Sequence, residues 1–284
     1  MNIQWYPGHM TKAKRAMQED IKLIDLIIEL VDARAPLSSR NPDIDDLGRG
    51  KARMVLLNKA DLASEAGNAA WTRYFEAKGF QVMKIDARQK ASLKQIHSVI
   101  QEACKEKIER DRRRGILNRP VRAMVAGIPN VGKSTFINSF AGKAAAKTGN
   151  KPGVTKGNQW IRLSKTLELL DTPGILWPKF EDPIAGERLA FTGAVRDDIL
   201  DVEWLAMRLL ELLAAEYPQA LRQRYKFEEL PQPLEGAALL ELVGRKRGML
   251  VSGGEVDTLR AATMLLDEFR AGKLGRITLE KAGR

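Results

Sequence analysis

The sequence predicts an α/β fold: a mostly parallel sheet with flanking helices across residues 1–178, followed by a smaller all-helical domain across 179–284. Three observations predict it. Short apolar runs at 26–31, 53–57, 81–85, 121–126, 160–163 and 167–170 have strand length, and stretches of helical spacing separate several of them. Five of these runs end in polar or glycine-rich motifs, where an open α/β sheet places its ligand-binding residues. Beyond residue 178 the apolar residues recur at helical spacing, at 204–213, 235–243 and 256–269.

With 284 residues, 44% of them hydrophobic, the chain is long enough for two domains with real cores. Lys and Arg outnumber Asp and Glu by 47 to 36, giving a net charge of +11 and a pI near 9.7. Such a field attracts polyanions, although a merely soluble basic surface has the same composition. Cys104 is the single cysteine, which excludes an intrachain disulfide and cannot complete a zinc set with His9 and His97. The N-terminus has no apolar leader, and Asp25 and Glu29 interrupt the most apolar run, so a cytoplasmic protein with no membrane span is expected.

The chain opens with a turn-like Trp5-Tyr-Pro-Gly-His-Met10, after which Met10, Ala13, Met17, Ile21 and Ile24 recur at helical spacing. Lys12, Arg15 and Lys22 fall on another face, either solvated or in contact with nucleic acid. The first strand runs into Asp32-Ala-Arg-Ala-Pro36 and the second into Asn58-Lys-Ala-Asp61. In that second motif the Asp61 carboxylate can accept from N1–H and the exocyclic amine of guanine together, a pair that adenine lacks. Asn58 can support the opposite edge of the ring, and the Lys59 stem can cover its face. A helix at 71–77 leads to the third strand, which ends in Asp86-Ala-Arg88, where a backbone N–H of Asp86 or Ala87 can meet the base carbonyl. Leu93, Ile96, Ile100 and Ala103 then mark a helix, with Ser92 and Gln95 at capping-box spacing and His97 as an ordinary helix residue. The cations from Lys105 to Arg114 extend it into a linker, read as solvated or as touching RNA phosphate.

Gly127-Ile-Pro-Asn-Val-Gly-Lys-Ser134 follows the fourth strand and fits Gly-x-x-x-x-Gly-Lys-Ser. A polyphosphate needs many amide donors at close range, and glycines let the backbone curl around it. Asn130, Val131, Gly132, Lys133, Ser134 and Thr135 are the candidate contacts, with Lys133 reaching the outer phosphates and Ser134 ligating Mg²⁺. Phe136, Ile137 and Phe140 suit the buried face of the helix that follows. Downstream, Thr155 of Lys151-Pro-Gly-Val-Thr155 can complete the Mg²⁺ sphere. In Asp171-Thr-Pro-Gly174, Asp171 can hold Mg²⁺ through water and the Gly174 N–H can bond the γ-phosphate.

These parts resemble the five guanine-nucleotide motifs of Ras-like GTPases, but the Asn58 and Asp86 motifs come before the phosphate loop rather than after it. That order marks a circular permutation in which the usual termini are joined near 105–120 and new ends are cut after Gly174. With Trp5-Tyr-Pro-Gly-His-Met10 and Asp32-Ala-Arg-Ala-Pro36, the chain resembles the ribosome biogenesis GTPase A, or YlqF, family of circularly permuted GTPases. The resemblance implies a GTPase that uses GTP/GDP and Mg²⁺ and binds the maturing large ribosomal subunit, its rRNA and ribosomal proteins. It also implies a monomer away from the ribosome that couples hydrolysis to late assembly. An RNA-docking scaffold with structural nucleotide is the alternative, and a P-loop kinase is disfavoured by Asn58-Lys-Ala-Asp61. Ile175 stands where Ras-like enzymes carry a water-orienting glutamine, so hydrolysis should be slow alone and stimulated by the particle. Lys133 and Thr155 are catalytic candidates. The resemblance places His9 near the site, either to accept from the attacking water or to pin the N-terminal turn. In related enzymes the position of Asn130 binds K⁺, and loop capping is its other role.

In the helical region Ser252 and Glu255 have capping-box spacing, Gly272 can end the last helix, and Arg245, Lys246, Arg247 and the tail cations are candidates for RNA contact.

Overall fold

Six aliphatic stretches form the strands β1 (Leu26–Asp32), β2 (Ala52–Asn58), β3 (Gln81–Lys84), β4 (Val121–Gly127), β5 (Gln159–Arg162) and β6 (Leu167–Asp171). They make one sheet in the order β3-β2-β1-β4-β6-β5, parallel except for the β5–β6 pair. Every residue of β1 is buried, as expected for a central parallel strand covered on both faces. The computed structural model describes residues 18–117, 119–142, 159–172 and 182–283.

Strand order explains how the permuted motifs meet. The chain steps outward from β1 through β2 to β3, then returns so that β4 pairs with β1 on its other side. The carboxyl ends of β1, β2, β4 and β6 therefore share one edge of the sheet, with Asp32 level with Asn58, Leu30 with Gly127 and Val125 with Asp171. The reversal between β1 and β4 opens the crevice in which such sheets bind ligands.

Helices α1 (Asp43–Leu47), α2 (Glu65–Glu76), α3 (Ile96–Ala103), α4 (Lys105–Arg113) and α5 (Lys133–Ala141) connect these strands. Ser64 caps α2 by accepting from the Gly67 N–H, and Trp71 and Phe75 bury against Val31, Val55 and Leu57. The basic segment is a separate helix, because Cys104 leaves helical geometry at φ −104°, ψ 9°. Arg110, Arg112, Arg113 and Arg114 are exposed, whereas Lys107 turns toward Asp25 and Asp111 at 3.3 and 3.1 Å.

The second unit, Gly186–Ile277, contains most of α6 (Pro183–Phe191), with α7 (Val202–Glu216), α8 (Pro218–Tyr225), α9 (Gly236–Lys246) and α10 (Thr258–Arg270). Leu209, Leu213, Leu240, Val243, Leu265 and Phe269 are buried, as the helical periodicity predicts. The sheet unit comprises Met1–Ala185 together with Thr278–Arg284. The final segment therefore belongs with the sheet, not with the helices among which its place in the sequence put it.

Other local expectations are corrected. Ile24 is extended at ψ 139°, so the N-terminal helical pattern stops at the 3₁₀ turn Ile21–Leu23. Ser92 donates to the Asp86 and Gln89 carbonyls instead of capping α3, because a 3₁₀ turn precedes that helix. Helix α10 starts later than Ser252 and Glu255 indicate, with Asp257 accepting from the Arg260 N–H as its cap.

Candidate guanine-nucleotide site

Gly132 begins α5 at φ +94°, and a Cβ there would lie 2.5 Å from Asn58 Nδ2, so only glycine fits both the turn and the approach. That approach is used. Asn58 Nδ2 donates to the Val131 carbonyl at 2.7 Å, and Lys59 Nζ donates to the Asn130 carbonyl at 2.8 Å. The Asn58 motif and the phosphate loop, 71 to 73 residues apart in sequence, are thereby tied into one cradle. Asn130 and Lys59 both sit at φ +58°, a backbone region that asparagine tolerates better than most residues.

Lys133, the first residue of α5, and Asp171, the last of β6, meet in the interior, with Nζ donating to Oδ1 at 2.6 Å. Burial pulls the Lys133 ammonium below the ordinary lysine range, and the Asp171 carboxylate opposes that fall. Ser134 lies in the first turn of α5, and the Thr172 hydroxyl fixes the end of β6 by donating to the Val125 carbonyl at 2.9 Å. A cation, a hydroxyl and a carboxylate thus stand around a helix N-terminus, the donor set that a magnesium polyphosphate requires.

At the other end, Asp61 Oδ2 accepts from Arg88 Nη2 at 2.6 Å. Among the described residues Asp61 Oδ1 is buried and accepts no hydrogen bond. A buried acceptor without a donor suits a ligand that brings N–H groups of its own. Arg88 also grips Asp86 through Nε and Nη2, and those hydrogen bonds hold the Asp86 carboxyl below the usual range. The Ala87 N–H, expected to face a base carbonyl, donates to Asn58 Oδ1 at 3.0 Å, so Ala87 orients Asn58.

Sequence reasoning missed the support behind Lys59. Asp32, almost fully buried, accepts from Arg34 Nε at 2.9 Å, Arg34 Nη2 at 2.8 Å and the Arg34 N–H at 3.1 Å, and stands 3.1 Å from Lys59 Nζ. The Asp32-Ala-Arg-Ala-Pro36 motif is plain in the sequence, but only the fold brings Asp32 to Lys59. His97 is exposed and packs its ring at a tilt against Phe140, centroids 4.7 Å apart, as an ordinary helix residue does. Arg247 is drawn into ion pairing with Glu268 at 3.2 Å, and Arg245 pairs with Glu241 at 2.7 Å. His9, Thr155, Gly174 and Ile175 lie outside the described residues.

The family described as "50S ribosome-binding GTPase" matches residues 122–215. Ribosome biogenesis GTPase A of Bacillus cereus is 48% identical over 280 residues, covering 99% of this chain and 94% of that protein. The chain belongs to the ribosome biogenesis GTPase A family. The Thermotoga maritima member is 31% identical over 98% of this chain and 94% of its own length. A solved GDP-bound YlqF superposes with a TM-score of 0.67 at 25% identity, covering 94% of this chain and 99% of that one. A GNP-bound YlqF from T. maritima gives 0.67 at 26% identity over 96% and 99%. As a member of this family, the protein is a GTPase of ribosome biogenesis that binds guanine nucleotide, and its reordered motifs match the YlqF architecture. Among the described residues no helix is long and apolar enough to cross a membrane.

Proposed function

We propose that the protein docks on the maturing large ribosomal subunit and its rRNA and couples GTP binding and hydrolysis to a late assembly step. The observation that carries this is the cradle itself, in which Asn58 Nδ2 meets the Val131 carbonyl at 2.7 Å and joins base recognition to phosphate binding. The Lys133 and Asp171 charges set together at the phosphate end favour a switch over a scaffold with merely structural nucleotide.

In this reading Asp61 accepts from the guanine edge through its buried oxygen, while Asn58 and Lys59 hold the ring. The amides from Asn130 to Thr135 and Lys133 bind the phosphates, and the Gly174 N–H takes the γ-phosphate. Ser134, Thr155 and Asp171 would hold Mg²⁺, which when bound neutralises charge developing on the phosphate oxygens. Asn130 is assigned to K⁺ and His9 to orienting the attacking water, because Ile175 cannot hydrogen-bond it. Hydrolysis is slow alone and rises on the particle, to which the +11 charge draws the protein.

GTP turnover by the purified protein, with and without large subunits and in potassium or sodium buffer, tests this beside a His9→Ala variant. Stimulation by the subunit of about tenfold or more, lost in His9→Ala, is expected. Stimulation equal in both proteins removes His9 from the mechanism, equal rates in the two buffers remove K⁺, and binding without stimulation favours the scaffold.

A further inference from the structure

The end of the chain reaches the sheet unit at a place that the nucleotide contacts do not explain. The Leu279 N–H donates to the Arg34 carbonyl at 2.7 Å. The Glu280 carboxylate accepts from the Leu37 N–H at 2.6 Å, the Ser38 N–H at 3.0 Å and the Ser38 hydroxyl. Trp71 Nε1 donates to the Glu280 carbonyl at 3.2 Å, and the Ser64 N–H donates to Thr278 Oγ1 at 3.1 Å. The seat is tight enough that a Cβ on Gly67 would stand 2.3 Å from that Thr278 oxygen. Glu280 is only 5% exposed, and a carboxylate so buried is costly unless donors surround it. Leu37 and Ser38 supply those donors, so polar fit holds the segment in one register beside the apolar burial of Leu279 and the packing of Ala282 on the Trp71 and Phe75 cluster.

What it holds is the loop after β1. Arg34, whose carbonyl accepts from Leu279, is itself 1% exposed and turns its guanidinium onto Asp32, and Asp32 faces Lys59. Lys59 in turn reaches the Asn130 carbonyl of the phosphate loop. The left-handed backbone of Lys59 is a conformation that persists where its surroundings determine it: the Leu62 N–H donates to the Lys59 carbonyl at 2.9 Å and the Ala60 N–H to the Ile85 carbonyl at 3.1 Å, while Asp32 and Asn130 hold the side-chain ammonium. Against burial, the Arg34 and Lys59 charges hold the Asp32 carboxyl well below the usual range, so Asp32 is ionised at neutral pH, while burial pulls the Lys59 ammonium below the ordinary lysine range and Asp32 opposes that fall.

We propose that residues 278–280 are a positioning element for the guanine-specificity loop: acting through Arg34 and Asp32, they fix Lys59 and slow the release of guanine nucleotide. The proposal rests on the reading that Lys59 and Asp61 hold the base. Among the described residues the hydrogen bonds of Glu280 run to Leu37, Ser38 and Trp71, which makes it a positioning residue in this proposal and not a catalytic one.

Release of a fluorescent GDP analogue from the full-length parent, Glu280→Gln and Glu280→Ala tests it, with nucleotide-free melting temperatures taken in parallel. Release about tenfold faster is expected for Glu280→Ala, and about threefold faster for Glu280→Gln, which keeps a side-chain acceptor. Release within about twofold of the parent in both variants overturns the proposal, even if melting temperatures fall, because a merely structural tail lowers stability and leaves release alone. Should Glu280→Ala fail to fold, Glu280→Gln decides. Asp61→Asn is the control for the base assignment. Altered base preference there with unchanged release in the Glu280 variants removes the coupling and keeps the assignment, whereas the reverse keeps the coupling and removes the assignment.

Discussion

Asp32 in the sheet unit and Glu268 in the helical unit are buried to a similar depth, 1% and 6% exposed, and each faces two cations. Burial alone would raise both carboxyls. At Asp32 the Arg34 and Lys59 charges reverse that effect, and at Glu268 the hydrogen bonds from Arg224 and Tyr225 do, so both lie below the ordinary range. Their partners lead to different places. From Asp32 the chain of contacts runs through Lys59 to the Asn130 carbonyl at the strand ends. From Glu268 it closes on α8 and the end of α9, with Arg224 Nε donating at 3.0 Å, the Tyr225 hydroxyl at 3.0 Å and Arg247 lying over the Tyr225 ring at 5.2 Å. A buried ion cluster is therefore no mark of function by itself, and the decisive feature is whether its partners continue into a ligand-binding loop.

The comparison is sharpened most by a change within the loop that Asp32 supports. Asp61→Asn places an amide donor against the guanine edge, so preference for GTP over xanthine nucleotide should fall by about a hundredfold in a competition assay. Unchanged preference would break the link between that loop and the base. Glu268→Ala should destabilise the protein by about 2 kcal/mol in denaturant titration, since the two arginines it meets are partly solvated, and leave GDP affinity as in the parent. A large loss of GDP affinity would erase the distinction between the two carboxylates. Because the folded Glu268 carboxyl lies below its unfolded value of 4.5, its contribution is full above that pH and is lost as pH falls through the lower folded value. Acidification below about pH 4.5 should therefore destabilise the parent more steeply than Glu268→Gln. The smallest effect belongs to the α10 cap: Asp257→Ala should cost about 1 kcal/mol of stability with no change in nucleotide binding.

All six strands were legible because each is a short run rich in apolar residues, five of them closed by a polar or glycine-rich motif, and the motifs at Asn58, Gly127 and Asp171 meet because parallel strands share a carboxyl edge. Less was legible where a segment is too short for periodicity, as in the five residues of α1, or lacks a clear apolar stripe, as in α8. The capping pairs misled because a serine hydroxyl satisfies a preceding turn as readily as a helix, as Ser92 does. Hardest to read were links across long sequence distances. No local pattern places Glu280 beside Ser38, 242 residues away, or shows that the Ala87 amide is engaged by Asn58.

The return of Thr278–Arg284 to the sheet means that the nucleotide-binding body is discontinuous along the chain, with Gly186–Ile277 as an insertion. A fragment ending at Ala185 would carry every guanine-nucleotide motif yet lack the Glu280 carboxylate for the Leu37 and Ser38 amides and the Glu280 carbonyl for the Trp71 indole. For domain exchange the interchangeable part is thus the insertion alone, and any chimera that replaces everything after the Asp171 motif discards a structural piece of the body it means to keep.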